Sequence, residues 1–563
     1  MQLNSILLLG IIYSTFTLVY SLQLAPTFRT AKNIGFVVPL PGSSHITYLL
    51  PSLNELYLRG HNITLISTEE NQKYLNNYNG INFYSLGKST IHADKMMSPT
   101  SSHPDLIKIL PVLIKHSTSR WETEYNTFLN FIKESNVDLM ICDHFSTSCF
   151  DAAATAKIPS VMSATTLTTS DGSASYINND LTTMDDFTTQ YQSIQKRFYN
   201  KFIAPIQLLF SIKDDLAILA EQKRKSGLVD AKTLEDPESN IKHSLKLIGN
   251  SFGLEAARPV GPLVEFVGLG VSETYPNFDS NMGNFLNSHK KVVYVAFGQH
   301  AMPIIDDVTY ILTSLIIQWE KGHIDGIIWS SKVASKKRFP EIITSPYTGK
   351  SYAMAPLFDI NRDQTNYDTN AKNYVHDIYV ANWSSQVAIL LHSSVEVFIT
   401  HGGANSLMEG LYCGKRLIVY PFFGDQGGNA KQLTRAGVAE TFDHNTKQET
   451  RNQLVEKIIL DKDGSYQENT KKFQALVQIR SKNAHIKAAD VIEEVLFTST
   501  GQLLKHREDV GRSLSFIKRN NLDLYGIVLV IAVSFLSILV FNLKKLGCYA
   551  YNYTKIQKKL KTN

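Results

Sequence analysis

The sequence predicts an α/β protein in two halves, each a parallel sheet wrapped in helices. Three observations predict it. Short apolar, β-branched runs alternate with helical patterns, the order expected of parallel sheets. At 563 residues there is room for two domains, which typically hold about 100–250 residues each. Between about residues 268 and 288 the chain turns rich in Gly, Asn, Ser and Pro, a linker composition.

Taken in order, the N-terminus MQLNSILLLGIIYSTFTLVYS has an apolar core and no charged side chain before Arg29. Val19 and Ser21 suit the small-residue cleavage rule, so residues 1–21 read as a signal peptide. The first domain is expected over 22–275, with strands IGFVVPL, ITLIS and VDLMICD. Asn62-Ile63-Thr64 matches a glycosylation acceptor but overlaps a strand. The first strand runs into PGSSHITYLL, placing His45 at a strand-to-helix turn near the positive end of the next helix. That field disfavours an added proton and favours a neutral imidazole able to act as a base. A structural cap is the other reading of this histidine, and a backbone-bonded strand end is the other reading of Asp143. The stretches LIKILPVLI and FIAPIQLLFSIKDDLAILA read mainly as helix core, with some residues available to an apolar pocket or a membrane. The Thr/Ser-rich stretch from Ser163 to Gln190 reads as a mobile loop.

The second domain is expected over 276–500, with strands VVYVAF, GIIWS, IYVANW, VEVFIT and RLIVYP. Its first strand ends at Gly298-Gln299, where a glycine keeps the backbone open to a ligand. A polar segment from Ser345 to His376 reads as a long loop. From Trp383 to Gln426 the spacing suits a nucleoside diphosphate sugar. Trp383 offers a flat surface for a base, a contact worth about 1–3 kcal/mol elsewhere. VEVFIT stops at His401-Gly402-Gly403, and a helical pattern begins at Ala404. The free N–H groups and positive dipole end of that helix suit a diphosphate. Asn405 and Glu409 share one helix face, and Glu409 can accept from both ribose hydroxyls. RLIVYP then delivers Asp425 and Gln426, able to grip sugar hydroxyls.

This stretch resembles the signature of the UDP-glycosyltransferases, at Trp383, Gln386, His392, Thr400-His401-Gly402-Gly403, Ser406, Glu409, Pro421, Asp425 and Gln426. Ser385 stands where family members usually carry proline, and Gln299 where they often carry serine. The resemblance implies the GT-B fold: two Rossmann-like doubly wound domains facing across a cleft, here with a C-terminal transmembrane helix. It implies donor binding by Gly298, Trp383, Gln386, His401, Gly403, Asn405, Ser406, Glu409, Asp425 and Gln426. It makes His45 the base that deprotonates an acceptor hydroxyl and Asp143 the carboxylate that holds it. The expected activity is inverting transfer of a hexose from a UDP-sugar, UDP-glucose or UDP-glucuronate, to a small lipophilic alcohol. UDP-sugar is a co-substrate; no cofactor is expected, and no metal, since no Asp-x-Asp motif lies in this stretch. A UDP-sugar epimerase and a catalytically silent binding protein are the rival readings. The membrane anchor argues against the first, and retention of His45 and Asp143 against the second.

The net charge of +5 is small and sits largely in the C-terminal tail, so there is no nucleic-acid footprint. Four cysteines show neither a disulfide framework nor metal-ligand spacing, and Cys142 reads as a core residue. After a juxtamembrane linker (501–523), residues 524–543 are apolar enough to span a bilayer. Lys544 and Lys545 follow, and the tail to residue 563 adds four lysines and no acid, so it is expected in the cytosol. Lys559-Leu560-Lys561-Thr562-Asn563 resembles a dilysine retrieval signal, which completes the expectation of a single-pass type I chain in the endoplasmic reticulum membrane with lumenal domains.

Overall fold

The computed structural model describes residues 28–561 apart from 90–105, 168, 170, 172–173, 178–185, 229–239, 269–274, 331–337, 359–376, 382 and 383. The signal segment, Trp383 and most of the 345–376 segment lie outside the described residues, as does part of the 163–190 stretch.

The first sheet is parallel throughout, with strands β1 (Asn33–Val38), β2 (Asn62–Ser67), β3 (Ile81–Ser85), β4 (Leu139–Asp143), β5 (Ser160–Ala164), β6 (Leu245–Ile248) and β7 (Val264–Phe266). Their spatial order is β3-β2-β1-β4-β5-β6-β7. All five residues of β4 and of β5 are buried, as apolar strands covered on both faces must be. Side chains of β1 alternate: Ile34, Phe36 and Val38 enter one core cluster and Val37 another.

The second sheet repeats the plan with β8 (Val292–Ala296) and β9 (Gly326–Ser330), then, beyond a hairpin of β10 (Ile342–Thr344) and β11 (Ser351–Ala353), β12 (Ile378–Ala381), β13 (Val395–Thr400), β14 (Arg416–Val419) and β15 (Ala439–Thr441). Its order is β12-β9-β8-β13-β14-β15. In both sheets the first and fourth strands are neighbours, and the chain winds outward in opposite directions from that pair. The crevice beyond their carboxyl ends is where such sheets hold ligands.

The helices used below are α1 (Leu50–Leu58), α2 (Leu106–Glu134), α3 (Thr147–Ala156), α4 (Ala204–Lys225), α5 (Ser280–Ser288), α6 (Gln386–Leu391), α7 (Ala404–Tyr412), α8 (Gln426–Arg435), α9 (Ala484–Thr498) and α10 (Leu522–Leu560). Although late in sequence, α9 packs on α1 of the first half. There Glu493 meets Arg29, Arg59 and His61. Burial opposes its charge, yet those three partners hold its carboxyl down at about 2.

Four expectations need correction. The segment 268–288 is not all linker, because Asp279 caps α5 at Met282 N–H (2.8 Å) and Met282, Phe285 and Leu286 enter the core. The 345–376 segment is not loop at its start, where β10 and β11 pair antiparallel. Cys142 is buried but not merely packed: it forms a disulfide with Cys149, since the turn after β4 brings α3 back until the two Cα atoms are 5.8 Å apart. The apolar run through α4 is not mostly core. Its Ile212 and Leu219 are buried, but Phe202, Ile206, Leu209, Phe210 and Ile218 are exposed, because α4 packs only one of its faces on α2.

Residues 505–563 form a second compact unit. Its α10 runs 39 residues and is the one helix among the described residues long and apolar enough to cross a membrane.

Candidate active site

At the crevice of the first sheet, β1 gives way to a turn in which Gly42 has φ +126°, a conformation that favours glycine. His45 follows in this turn, five residues ahead of α1. Asp143 is the last residue of β4 and is buried. The two meet, His45 Nδ1 to Asp143 Oδ2, at 2.7 Å. Asp143 Oδ1 accepts from the Phe145 N–H at 3.0 Å. His144 stacks on His45 with ring centroids 5.4 Å apart, and its buried Nδ1 has no hydrogen-bond partner. Nitrogen and oxygen atoms of His45, Asp143 and His144 lie within 4.8 Å of one another, near the spacing a divalent cation would need, but Asp143 already spends both oxygens as described.

Electrostatics corrects one expectation here. Burial lowers the His45 pKa, but the field and hydrogen bond of Asp143, with a contribution from Asp425, outweigh it and leave it raised. The helix start does not dominate, because a carboxylate in contact acts more strongly than a dipole end a turn and more away. Asp143 itself is destabilised by burial and rescued by His45 and His144, so its carboxyl stays below the ordinary range.

At the crevice of the second sheet the glycines permit a close pack around His401. Gly298 has φ +67°, and a Cβ there would sit 2.9 Å from His401 Cε1. At Gly403 a Cβ would sit 2.5 Å from His401 Nε2. Gly403 N-caps α7 without any side-chain hydrogen bond, so the first N–H groups of that helix stay open toward the crevice. Burial, aided by His300, pushes His401 down to about 4, so this imidazole is neutral. Asn405 Oδ1 is buried with no hydrogen-bond partner, and Ser406 lies below it in the same first turn. Gln386 Nε2 donates to Glu409 Oε2 at 2.6 Å and to Ser406 Oγ at 3.3 Å. Burial raises the Glu409 carboxyl to about 7 despite the Gln386 bond. His392 stands apart, bonded to Ser394 and Asn287.

Asp425 ends the loop after β14, and its charge makes a small contribution to raising the His45 pKa. Gln426 differs from expectation: its Oε1 accepts from Phe422 N–H (2.8 Å) and Phe423 N–H (3.1 Å), holding its own loop. Gln299 reaches the first half, accepting from Ser43 N–H (3.2 Å) and sharing a hydrogen bond with Tyr74 Oη (3.1 Å).

Three contributors escaped the sequence reading. Asn429 donates both to Gly402 O (2.9 Å) and to Asp425 Oδ2 (2.8 Å), tying the glycine turn to the loop. Its spacing of four from Asp425 at a helix start was the available signal. His144 carried the signal of sitting beside Asp143. Tyr74 carried none, because its contact spans 225 positions.

The chain is similar to known glycosyltransferases. The family described as UDP-glucoronosyl and UDP-glucosyl transferase matches residues 361–563. The UDP-glycosyltransferase stmC of Aspergillus ustus is 28% identical over 365 residues, 62% of this chain and 64% of that protein, so the chain spans less than two thirds of this relative's length. Human UDP-glucuronosyltransferase 1A5 is 24% identical over 577 residues, 95% of this chain and 93% of its own. Among solved structures, the glycotransferase of kitacinnamycin superposes with TM-score 0.56 at 17% identity, covering 83% of this chain and 100% of that one. The calicheamicin glycosyltransferase CalG4 gives 0.51 at 15%, covering 83% and 99%. At such identities the structures speak for the fold alone, and the fold is GT-B.

Proposed function

We propose that this chain, of the UDP-glycosyltransferase family by its matched region and relatives, transfers a hexose from a UDP-sugar to a hydroxyl of a small lipophilic acceptor with inversion. The observation that carries the reading is the His45–Asp143 pair, 2.7 Å apart, at the carboxyl-end crevice of the first sheet. With Nδ1–H donated to Asp143, the His45 Nε2 is the basic nitrogen, and Asp143 stabilises the imidazolium that forms. The acceptor oxygen, losing its proton to Nε2, attacks the anomeric carbon from the face opposite the UDP. The bond to the diphosphate oxygen breaks and UDP departs.

Charge on the departing diphosphate meets the open N–H groups at the start of α7, with His401, Asn405 and Ser406 beside them. Such preorganised donors cost no rearrangement as charge develops. His401 is neutral and can donate without bringing a fixed charge. Glu409 and Gln386 take the ribose, Trp383 the uracil, Gly298 and Gly403 keep the backbone clear, and Asp425 orients the sugar, with Gln426 holding the loop that carries it. The exposed apolar face of α4 fits a chain that works among lipophilic molecules. We place the catalytic halves in the endoplasmic reticulum lumen, with α10 as the anchor. The lysines that follow its apolar stretch and the Cys142–Cys149 disulfide, which suits an oxidising compartment, support that placement.

The test uses membranes carrying the full chain or a His45→Ala variant, given UDP-glucose and UDP-glucuronate in parallel with a panel of hydrophobic alcohols and phenols. Glycosylated products are followed by mass. Product that depends on one UDP-sugar and disappears in the variant supports the reading. UDP binding with no product across the panel would favour a silent binding protein.

A further inference from the structure

We propose that the Cys142–Cys149 disulfide is a positioning element of the transfer site, closing the turn that holds Asp143 against His45, so that reducing it slows transfer without loosening the donor. The proposal rests on the reading of His45 as the base. Cys142 is the penultimate residue of β4, in register with Val37 of β1 and Met162 of β5, and so is fixed by the sheet. Cys149 is the third residue of α3. The six residues between them contain every group packed behind His45 that the first half supplies from this turn. Asp143 bonds its Nδ1, His144 stacks on its ring, and the Phe145 ring lies 5.6 Å from it while the Phe145 N–H holds Asp143.

The N-cap Ser146 of α3 makes no side-chain capping hydrogen bond, and Ser148 Oγ donates to Glu124 Oε2 at 2.9 Å, which ties the helix start to α2. The cross-link is the covalent tie of that start to the sheet. A ring this short restrains the unfolded chain less than a long one would, so its leverage lies in local geometry. A buried carboxylate is also sensitive to such geometry, because any retreat from His45 leaves its charge less compensated.

A dithiol such as dithiothreitol reduces the cross-link: its thiolate attacks one cysteine sulfur, the Cys142–Cys149 bond breaks, and its second thiol resolves the mixed disulfide. The protein gains two electrons and two protons as two thiols, and the reductant leaves as a cyclic disulfide. Both cysteines are buried, so exchange requires local opening of the turn.

The experiment uses the full-length chain in membranes. Alkylation followed by mass under denaturing conditions should label Cys413 and Cys548 before reduction and all four cysteines after it. Reduced enzyme should show kcat lowered roughly tenfold, since a misplacement of about 1 Å can cost up to about 100-fold. UDP affinity should stay within about twofold. Reoxidation should restore kcat, and a Cys142→Ala/Cys149→Ala variant should start low and ignore reductant. The acid limb of its kcat/KM profile should lie at lower pH than wild type, because Asp143 grips the imidazolium less firmly; His144 and Asp425 remain to act on it. Wild-type kcat and an unmoved acid limb in the reduced enzyme would overturn the positioning role, as would four free thiols in the native chain. Should the double variant not fold, reversible reduction of wild type decides alone. A wild-type chain with a proven cross-link but no transfer activity would instead strike down the functional reading beneath.

Discussion

His45 and His401 occupy related places in the two sheets, one after the first strand of its sheet and the other after the fourth, both at the crevice where the winding reverses. Their environments drive them apart. His45 has a buried carboxylate in contact and its pKa is raised; His401 has none among the described residues, sits against glycines and beside His300, and falls to about 4. Burial pushes both in the same direction, so the carboxylate is what separates them. The neighbours placed at each crevice set the two histidines apart, and on the function proposed above one crevice handles a proton and the other faces an anion.

The largest effect is expected at the proton-handling end. His45→Ala or Asp143→Asn should lower transfer by about 10²–10⁴-fold. UDP affinity should stay unchanged, read by titration with UDP alone. An equal loss of UDP binding would show that the two crevices do not divide the work. In the wild type, the base must be neutral, and its pKa lies above the ordinary histidine value, so kcat/KM should fall as pH drops through that raised value. Asp143→Asn should move this limb downward.

At the anion-facing end, Gly403→Ala places a Cβ 2.5 Å from His401 Nε2. Overpacking of this kind costs about 1–3 kcal/mol, so UDP should bind roughly tenfold more weakly or worse. The effect on kcat at saturating donor should be smaller than that on KM.

Glu409 sharpens the contrast through pH. Its carboxyl, raised to about 7 by burial, is protonated below that value and accepts ribose hydroxyls best when ionised. UDP affinity should therefore weaken as pH falls below 7, by at most about tenfold per unit. Glu409→Gln should bind less tightly at pH 8 and remove this carboxyl's share of the pH dependence. The smallest effect is expected at the contact joining the two ends. Gln299→Ala deletes its bonds to Ser43 and Tyr74 and should raise KM by roughly fivefold, the value of about one hydrogen bond.

Much of this was legible because it is local. Apolar β-branched runs such as VEVFIT report a buried strand by themselves, and a strand that stops at His401-Gly402-Gly403 before a helix announces a glycine turn at a helix start without knowledge of the partner strands. His45 and Asp143 were legible as strand-end residues, and their pairing was legible through the family resemblance. The remainder depended on residues far apart in sequence. Gln299 meets Tyr74 across 225 positions, and no local pattern marks either as a partner. The apolar run through α4 has the composition of a core helix, yet composition cannot say how much of its circumference finds a partner.

The two parallel sheets, the positions of their crevice residues and the apolar C-terminal helix follow from periodicity and turn chemistry within short windows of sequence. Which groups stand within a few ångströms of one another depends on the tertiary fold. It turned two histidines in opposite electrostatic directions, joined Cys142 to Cys149 and committed Gln426 to its own loop. The reason is physical: hydrogen bonding and charge coupling depend on distances of about 3–6 Å, and those distances are set by how the chain returns on itself.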